Sequence, residues 1–175
     1  MAGSMKVMAE ERGASVSFRA EGPADDAGRR EQTSGPVLVK GDEFKIEEVL
    51  SNYLSNAVHH VDQGGRIQVA VQDNGSTVRT HVFNTGSRIP EEDIGHIWDK
   101  FYKVDKAHTR TYGGTGIGLS IVKAVMEAHG MEYGVRNVLP EEVSALLCAE
   151  PGDSSGMTCG VDFWFDLPKG EETAS

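Results

Sequence analysis

The sequence predicts an α/β (α+β) sandwich, a mixed and largely antiparallel sheet with helices packed on one face. Residues 43–61 carry apolar side chains at helical spacing, and several shorter segments alternate apolar and polar residues as strands do. An Asn-Gly pair joins two of these segments, which is typical of a hairpin turn. With 175 residues and a 38% hydrophobic share, the chain is long enough for one well-cored domain and too short for two.

The first 42 residues predict strand, loop and strand. Residues 15–20 alternate Val16 and Phe18 with polar neighbours, as a half-exposed strand does. Residues 21–35 are rich in Gly, Pro, Asp, Arg and Ser, which predicts a surface loop, and residues 36–40 predict a short strand. Asp42 is the expected N-cap of the helix that follows.

The helix predicted at 43–61 has two distinct faces. Its buried stripe consists of Ile46, Val49, Leu50, Tyr53, Leu54, Ala57, Val58 and Val61. The opposite ridge carries Glu48, Asn52, Asn56 and His59 or His60 at steps of three and four. Because Asn is a poor helix former, two asparagines one turn apart lower helix stability. This favours a face directed at a ligand over an ordinary solvated face.

The middle of the chain predicts a hairpin of strands 66–72 and 77–83, followed by a polar loop at 84–90. We then expect a short helix at 91–97. Trp98, Phe101 and Tyr102 predict a small satellite core. Residues 103–115 are polar, basic and without periodicity, so they predict either a plain loop or a lid that closes on a ligand.

Residues 113–123, GGTGIGLSIVK, place closely spaced glycines directly before an apolar helical pattern. Free amide groups and the helix dipole would point at one spot there, which suits phosphate oxygens, although a glycine-rich turn that caps a buried helix fits equally well. The predicted helix runs to about residue 129. A strand at 132–138, a short amphipathic helix at 140–149, a loop at 151–156 and a closing strand at 157–167 complete the chain.

Net charge, cysteine spacing and the length of apolar runs argue against several classes of function. The formal net charge of -10 argues against a broad surface for nucleic acid or anionic membrane, so a phosphate ligand would need a focused pocket. Cys148 and Cys159 lack metal-site spacing and are expected to be reduced, and no apolar run approaches the roughly 18 residues of a membrane span.

The sequence also predicts how the chain is divided. Residues 1–5 resemble a cloning remnant, residues 6–170 are predicted to form one domain, and residues 171–175 are predicted to be a disordered tail.

Four blocks in order resemble a known family. VLSNYLSNAVHH within 42–60 is similar to an N box, 84–89 occupies the place of a G1 box, 99–102 is similar to an F box, and 114–119 matches a G2 box. The chain therefore resembles the catalytic ATP-binding (HATPase_c) domain of bacterial two-component sensor histidine kinases, members of the GHKL ATPase superfamily. The resemblance implies a Bergerat-type fold with a mobile ATP lid, cytoplasmic in a membrane-anchored sensor. Residues 139–156 look like an insertion.

The resemblance implies ATP and Mg²⁺ as ligands. Asn56 would offer its side-chain oxygen to Mg²⁺, while Asn52 and Lys103 would lie at the triphosphate as catalytic residues. The glycines would wrap the phosphates and hinge the lid. The implied nucleotide-binding residues are Asn56, His59, His60, Asn84, Gly86, Ile89, Lys103, Arg110, Gly114, Thr115, Gly116, Ile117, Gly118 and Leu119.

Two positions depart from the family pattern. The G1 aspartate that accepts a hydrogen bond from the adenine amino group is Asn84, and the second G1 glycine is Arg88. An asparagine keeps a carbonyl acceptor but makes a neutral bond, so adenine recognition would survive with lower affinity.

The resemblance also implies a reaction and its partners. Hydrolytic relatives activate water with a Glu where this chain has Asn52, which cannot take that proton, so a kinase is favoured over a hydrolase even though Glu48 lies one turn away. None of the six histidines has a phosphoacceptor context, which implies an upstream dimerisation domain that carries the acceptor, and a response regulator downstream. We expect a homodimeric full-length protein, with this chain alone a monomer. A catalytically weak regulatory module that binds nucleotide remains the alternative.

Overall fold

In the computed structural model, the described residues are 7, 9–33, 35–104, 116–140, 142 and 159–170. They contain five strands and two long helices: β1 (Ser15–Glu21), α1 (Glu43–His60), β2 (Arg66–Asp73), β3 (Thr77–Thr85), α2 (Gly118–Ala128), β4 (Tyr133–Val138) and β5 (Gly160–Pro168). The strands form one sheet in the order β1-β2-β3-β5-β4, with β1 parallel to β2 and the remaining pairs antiparallel. The predicted mixed, largely antiparallel sheet is confirmed.

The main core lies between the sheet and the two helices. Val82 at the centre of β3 pairs with Val69 on one side and Phe163 on the other, which places three apolar side chains on one face. Tyr53 of α1 is fully buried against this face, with its ring 5.0 Å from that of Phe163. Val122 and Met126 of α2 are also fully buried and belong to the same core. None of the helices in the described residues is long and apolar enough to cross a membrane.

Helix α1 begins as the sequence predicts. The Asp42 side chain accepts a hydrogen bond from the Lys45 amide at 3.1 Å, and the helix ends at His60, where Val61 turns to an extended conformation. The hairpin is also confirmed, since Asp73 pairs with Val78 across the turn. Strand β3 is longer than predicted. It continues to Thr85, so the first two residues of the predicted 84–90 loop are strand residues.

The predicted strand at 36–40 is wrong. Val39 instead makes an isolated bridge to Lys169, flanked by a hydrogen bond from the Gly170 amide to the Leu38 carbonyl. Leu38 and Val39 remain exposed. The hydrophobic core does not cover these two side chains. There is therefore no burial to stabilise a longer strand at this position.

The predicted helix at 91–97 is also wrong, because this segment forms consecutive turns. The Asp93 amide donates to the Pro90 carbonyl and the His96 amide donates to the Asp93 carbonyl, both of which are three-residue spans. The Ile97 amide also donates to the Asp93 carbonyl over four residues, but the three-residue bonds around it do not propagate an α-helical ladder, and Gly95 adds a high entropic cost of ordering.

The three aromatic residues of the predicted satellite core do not form a separate core of their own. Trp98 packs edge-on against Tyr133 and Phe163 of the main core. Phe101 is 71% exposed. Tyr102 donates a short hydrogen bond to Asp93, which raises the pKa of the Tyr102 phenol. Phe101 has a φ of 65°, which few residues other than glycine adopt, whereas Trp98 and Tyr102 both pack against the main core.

Candidate functional site

The candidate site lies at the end of the sheet where α1 and β3 end and α2 begins. The turn after α1 rests on the end of β3 through two bonds, from the Asp62 amide to the Thr85 carbonyl at 3.3 Å and from the Arg66 amide to Thr85 Oγ1 at 2.9 Å. A Cβ atom at position 65 would lie 2.4 Å from Thr85 Oγ1. The absence of a side chain at Gly65 therefore lets the two segments meet.

Gly86, a predicted site residue, is held in a second close contact. A Cβ atom there would lie 2.4 Å from the His60 carbonyl oxygen, and its φ is 146°. Its amide donates to the Cys159 carbonyl at 3.0 Å, while Cys159 Sγ contacts the Gly86 carbonyl at 3.3 Å. Position 86 thus joins the end of α1, the end of β3 and the segment that enters β5, and only glycine fits there.

Asn84 lies on β3 between Ile67 and Val161 of the neighbouring strands and is 2% exposed. Its side-chain Nδ2 donates to the Thr85 carbonyl at 3.1 Å. The carbonyl end of the amide is the acceptor expected to read an amino group on a ligand. Because a strand holds this side chain on both sides, its direction is fixed more firmly than a loop would fix it.

The first turn of α2 contacts α1 at Asn52. A Cβ atom at Gly118 would lie 2.6 Å from Asn52 Oδ1, so the asparagine side chain lies directly over the glycine. Asn52 Nδ2 donates to the Glu48 carbonyl at 2.9 Å, which fixes the orientation of the amide. Within the described residues no side chain caps α2, whose N-cap is Ile117, and its first turn contains no acidic residue. These amide groups and the helix dipole therefore favour an anion at this point.

The other predicted residues of α1 occupy different positions. Asn56 is partly buried one turn beyond Asn52. His59 turns its Nδ1 to the Ser55 carbonyl at 2.6 Å, so this nitrogen is engaged within the helix. The His60 side chain is exposed, and its carbonyl carries the contact with Gly86. The backbone of His60 thus contributes to the shape of the site.

The glycine block is joined to the segment before it. The Phe101 amide donates to the Gly116 carbonyl at 2.8 Å, and a Cβ atom at Gly116 would lie 3.1 Å from Phe101 Cα. Lys103 is partly buried two residues after Phe101 and therefore lies near this junction. Ile117 and Leu119 are partly buried, and Leu119 packs against the main core. Arg110, Gly114, Thr115 and most of the 103–115 segment lie outside the described residues, as does most of the 139–156 insertion.

An open cavity of about 420 Å³ adjoins the loop after β3. Its lining consists of Ser87, Arg88, Ile89, Pro90, Glu91 and Asn137. The Ile89 amide donates to Asn137 Oδ1 at 2.8 Å, and Asn137 Nδ2 donates to the Ile89 carbonyl at 2.7 Å. Asn137, on β4, was not among the predicted site residues. A strand pattern carries no signal for a side chain that bonds a loop 48 residues away.

The chain matches the family model described as histidine kinase-, DNA gyrase B-, and HSP90-like ATPase over residues 41–171. It is 40% identical over 96 residues to the sensor histidine kinase WalK of Bacillus subtilis, an alignment that covers 54% of this chain and 16% of WalK. The chain spans between 16% and 25% of the length of the first curated relatives it matches.

Solved structures have the same fold. The nucleotide-free catalytic domain of histidine kinase ThkA superposes with a TM-score of 0.60 at 25% identity, covering 95% of this chain and 88% of that one. Full-length ShkA in complex with AMPPNP gives a TM-score of 0.68 at 22% identity, covering 99% of this chain and 29% of that one. ThkA in complex with the response regulator TrrA gives a TM-score of 0.56 at 22% identity, covering 99% and 40%. The latter two likenesses concern the fold alone.

Proposed function

The chain belongs to the family of histidine kinase-, DNA gyrase B- and HSP90-like ATPases, as its motif order predicts, and from this premise we propose that it is the catalytic ATP-binding domain of a sensor histidine kinase. It would bind Mg-ATP and donate the γ-phosphate to a histidine on an upstream dimerisation domain. The observation that carries the proposal is the contact of Asn52 with Gly118 at the uncapped start of α2.

The first step of the proposed function is to hold the triphosphate. The amides of the first turn of α2 would bind phosphate oxygens, and the absence of a side chain at Gly118 makes room for Asn52 beside them. Asn52 Nδ2 is bound to the Glu48 carbonyl, which directs Asn52 Oδ1 toward Gly118. Lys103 would supply a positive charge from the other side of the Gly116 junction.

The donor set fits a magnesium ion bound through the nucleotide. Asn56 offers an amide oxygen one turn from Asn52, and Mg²⁺ in such sites takes one or two protein oxygens and completes its octahedron with phosphates and water. When bound, the ion would neutralise charge on the transferring phosphoryl group. Asn56 would therefore determine the position of the triphosphate that carries this ion.

The base would bind toward the sheet. Asn84 presents a carbonyl acceptor on β3, and Gly86 and Ile89 form the loop beside it. An amide acceptor makes a neutral hydrogen bond with an adenine amino group, so we expect weaker recognition than a carboxylate would provide.

Transfer to histidine is favoured over hydrolysis. Asn52 cannot remove a proton from water, and the nearest acidic side chain on that ridge, Glu48, is paired with Lys45 at 3.1 Å. An imidazole nitrogen already presents a lone pair, so the domain has mainly to position it and neutralise charge. The relatives include the sensor histidine kinase WalK and the catalytic domain of histidine kinase ThkA, which supports a two-component role, and the final acceptor in such a role would be a response regulator.

The test restores the upstream helices and incubates the longer protein with labelled ATP and Mg²⁺. We expect an acid-labile phosphohistidine whose formation falls at least about tenfold with Asn52→Ala, a loss of about 1.4 kcal/mol in transition-state stabilisation. Asn74→Ala, in the hairpin turn far from the site, is the matched control and should leave the rate unchanged. Nucleotide binding without any phosphohistidine would favour the regulatory module, and rapid phosphate release would favour a hydrolase.

A further inference from the structure

We propose that Asn137 is a positioning residue that holds the 86–90 loop as the base-side wall of the nucleotide site, an inference that rests on the proposed function. Asn137 contacts the loop through both ends of its amide, accepting from the Ile89 amide and donating to the Ile89 carbonyl. One side chain thereby satisfies both backbone groups of a loop residue, as a neighbouring strand would.

The register of the sheet relates Asn137 to Asn84. Asn84 pairs with Val161, and Val161 pairs with Asn137, so the two asparagines lie on the same face with one strand between them. Strands in a sheet are about 4.8 Å apart, which places the two backbones about 10 Å from each other. The loop that leaves β3 after Asn84 is therefore tied down two strands away by Asn137.

The loop has few other means of holding this position. Pro90 has no amide hydrogen, and the Ser87 and Arg88 side chains are exposed. The loop is fixed at Gly86 through the Cys159 carbonyl and at Pro90 through the Asp93 amide, and Asn137 holds the residue between those points. Asn137 Nδ2 also lies 3.3 Å from Glu91 Oε1, which directs the amide nitrogen toward the loop.

Without the hydrogen bonds to Asn137, the 86–90 loop would adopt its binding-competent conformation for a smaller fraction of the time. Ile89 packs against the main core, and Ile89 and Asn137 both line the cavity that this loop bounds. When the wall of a site is correctly placed only part of the time, the apparent affinity falls by that fraction for every ligand that uses the wall. Ligands that share the base should all be affected, whatever phosphates they carry.

The experiment measures the affinity of the folded chain for ATP, ADP and adenosine in wild type, Asn137→Leu and Asn137→Asp. The Leu variant keeps a similar side-chain size without either hydrogen bond, whereas the Asp variant keeps the acceptor for the Ile89 amide. We expect the three affinities to fall together, roughly tenfold for Leu and roughly threefold for Asp, with the dependence of ATP binding on Mg²⁺ unchanged. Hydrogen exchange of the Ile89 amide should become faster in the Leu variant and stay slow in the Asp variant.

Asn74→Leu, at the opposite end of the sheet, is the matched control and should leave all three affinities unchanged. Affinities equal to wild type in folded Asn137 variants, or a loss confined to ATP, would overturn the assignment while leaving the proposed function standing. Absence of ATP binding by the wild-type chain would instead refute both. If Asn137→Leu does not fold, Asn137→Asp decides, because a loss of about threefold in all three affinities supports the assignment and wild-type affinities overturn it.

Discussion

The two ends of the sheet are held together in different ways. At the site end, defined by Gly65, Gly86 and Gly160, the backbone passes so close to neighbouring oxygen atoms that any Cβ atom would clash. A Cβ atom at each of these positions would lie 2.4 Å from Thr85 Oγ1, the His60 carbonyl oxygen and the Asn84 carbonyl oxygen, respectively. At the hairpin end, defined by the 73–77 turn, Arg30 and Lys169, long side chains make the connections.

The hairpin end depends on hydrogen bonds to Asp73 and Asn74. Arg30 Nη1 donates to the Asp73 carbonyl at 2.6 Å, and Lys169 Nζ contacts the Asp73 carboxylate at 2.5 Å. Gly75 has a φ of 88°, and a side chain there would project into open space. The site end therefore has almost no room for added atoms, whereas we expect the hairpin end to keep its backbone path when one side chain is lost.

The largest expected difference is between Gly86→Ala and Gly75→Ala. The Gly86 variant combines a severe clash with a strained φ and should lose about 3 kcal/mol of unfolding free energy or more. The Gly75 variant meets only the strain of a positive φ and should lose about 1 kcal/mol. Urea denaturation of both variants measures this, and equal losses would show that the two ends do not differ.

The next difference concerns ATP affinity and compares Gly118→Ala with Gly130→Ala. The added methyl group at position 118 displaces the Asn52 side chain, so ATP should bind about tenfold more weakly, while helix stability is maintained because alanine favours a helix. Gly130 has a φ of 63° and open space around it, so its variant should lose stability without losing affinity. Calorimetric titration together with thermal unfolding separates the two effects. Unchanged affinity in Gly118→Ala would remove Asn52 from the phosphate site.

A smaller difference in ATP affinity is expected between variants of two arginines that both donate to backbone carbonyl groups. Arg12 Nη1 donates to the His59 carbonyl at 3.1 Å and to the Val61 carbonyl at 3.4 Å, whereas Arg30 makes its carbonyl bonds at the hairpin end. Replacing either one by Met should lower stability by about 1 kcal/mol. Only Arg12→Met should also weaken ATP binding, roughly threefold, because the turn after α1 supports Gly86. An equal change of affinity in both variants would contradict the comparison.

The smallest effect is pH-dependent and belongs to the hairpin end. The hydrogen bond from Lys169, followed by that from the Gly75 amide, holds the pKa of the Asp73 carboxyl below its usual value. A lowered folded-state pKa stabilises the fold above the unfolded pKa of about 3.9, and this contribution is lost as the pH falls through the folded-state value. Asp73→Asn should therefore cost about 1 kcal/mol or less at neutral pH and flatten the acid limb of a stability curve, measured by denaturation between pH 2 and 7. An acid limb as steep as that of wild type would exclude Asp73 as its source.

The sequence predicts best the features whose signal is local. The apolar spacing of α1 identifies the helix and brings Asn52 and Asn56 onto one ridge, and the glycine block before α2 identifies the start of that helix. The sequence predicts too short a β3 because Asn84 and Thr85 are polar, yet both are buried residues of this strand. Strand pairing depends on contacts between segments that are distant in the chain, so it can override the tendency of Asn to occur in loops.

Other features could not be predicted because they depend on contacts far apart in the chain. The outward turn of Phe101 depends on its hydrogen bond to Gly116, and the role of Asn137 depends on its bonds to Ile89. The tight site-end contact of Gly86 likewise involves His60, from a different element. Motif order identifies which segments meet, but it does not state which backbone atoms touch.

We propose that this chain binds Mg-ATP with Asn56 as the protein ligand to the metal, and the decisive experiment is titration calorimetry with ATP in the presence and absence of Mg²⁺. We predict that Mg²⁺ strengthens ATP binding to wild type and to the control Asn74→Ala, and that Asn56→Ala loses this gain while still binding adenosine. No binding at millimolar ATP, or a Mg²⁺-dependent gain that survives in Asn56→Ala, would contradict the claim.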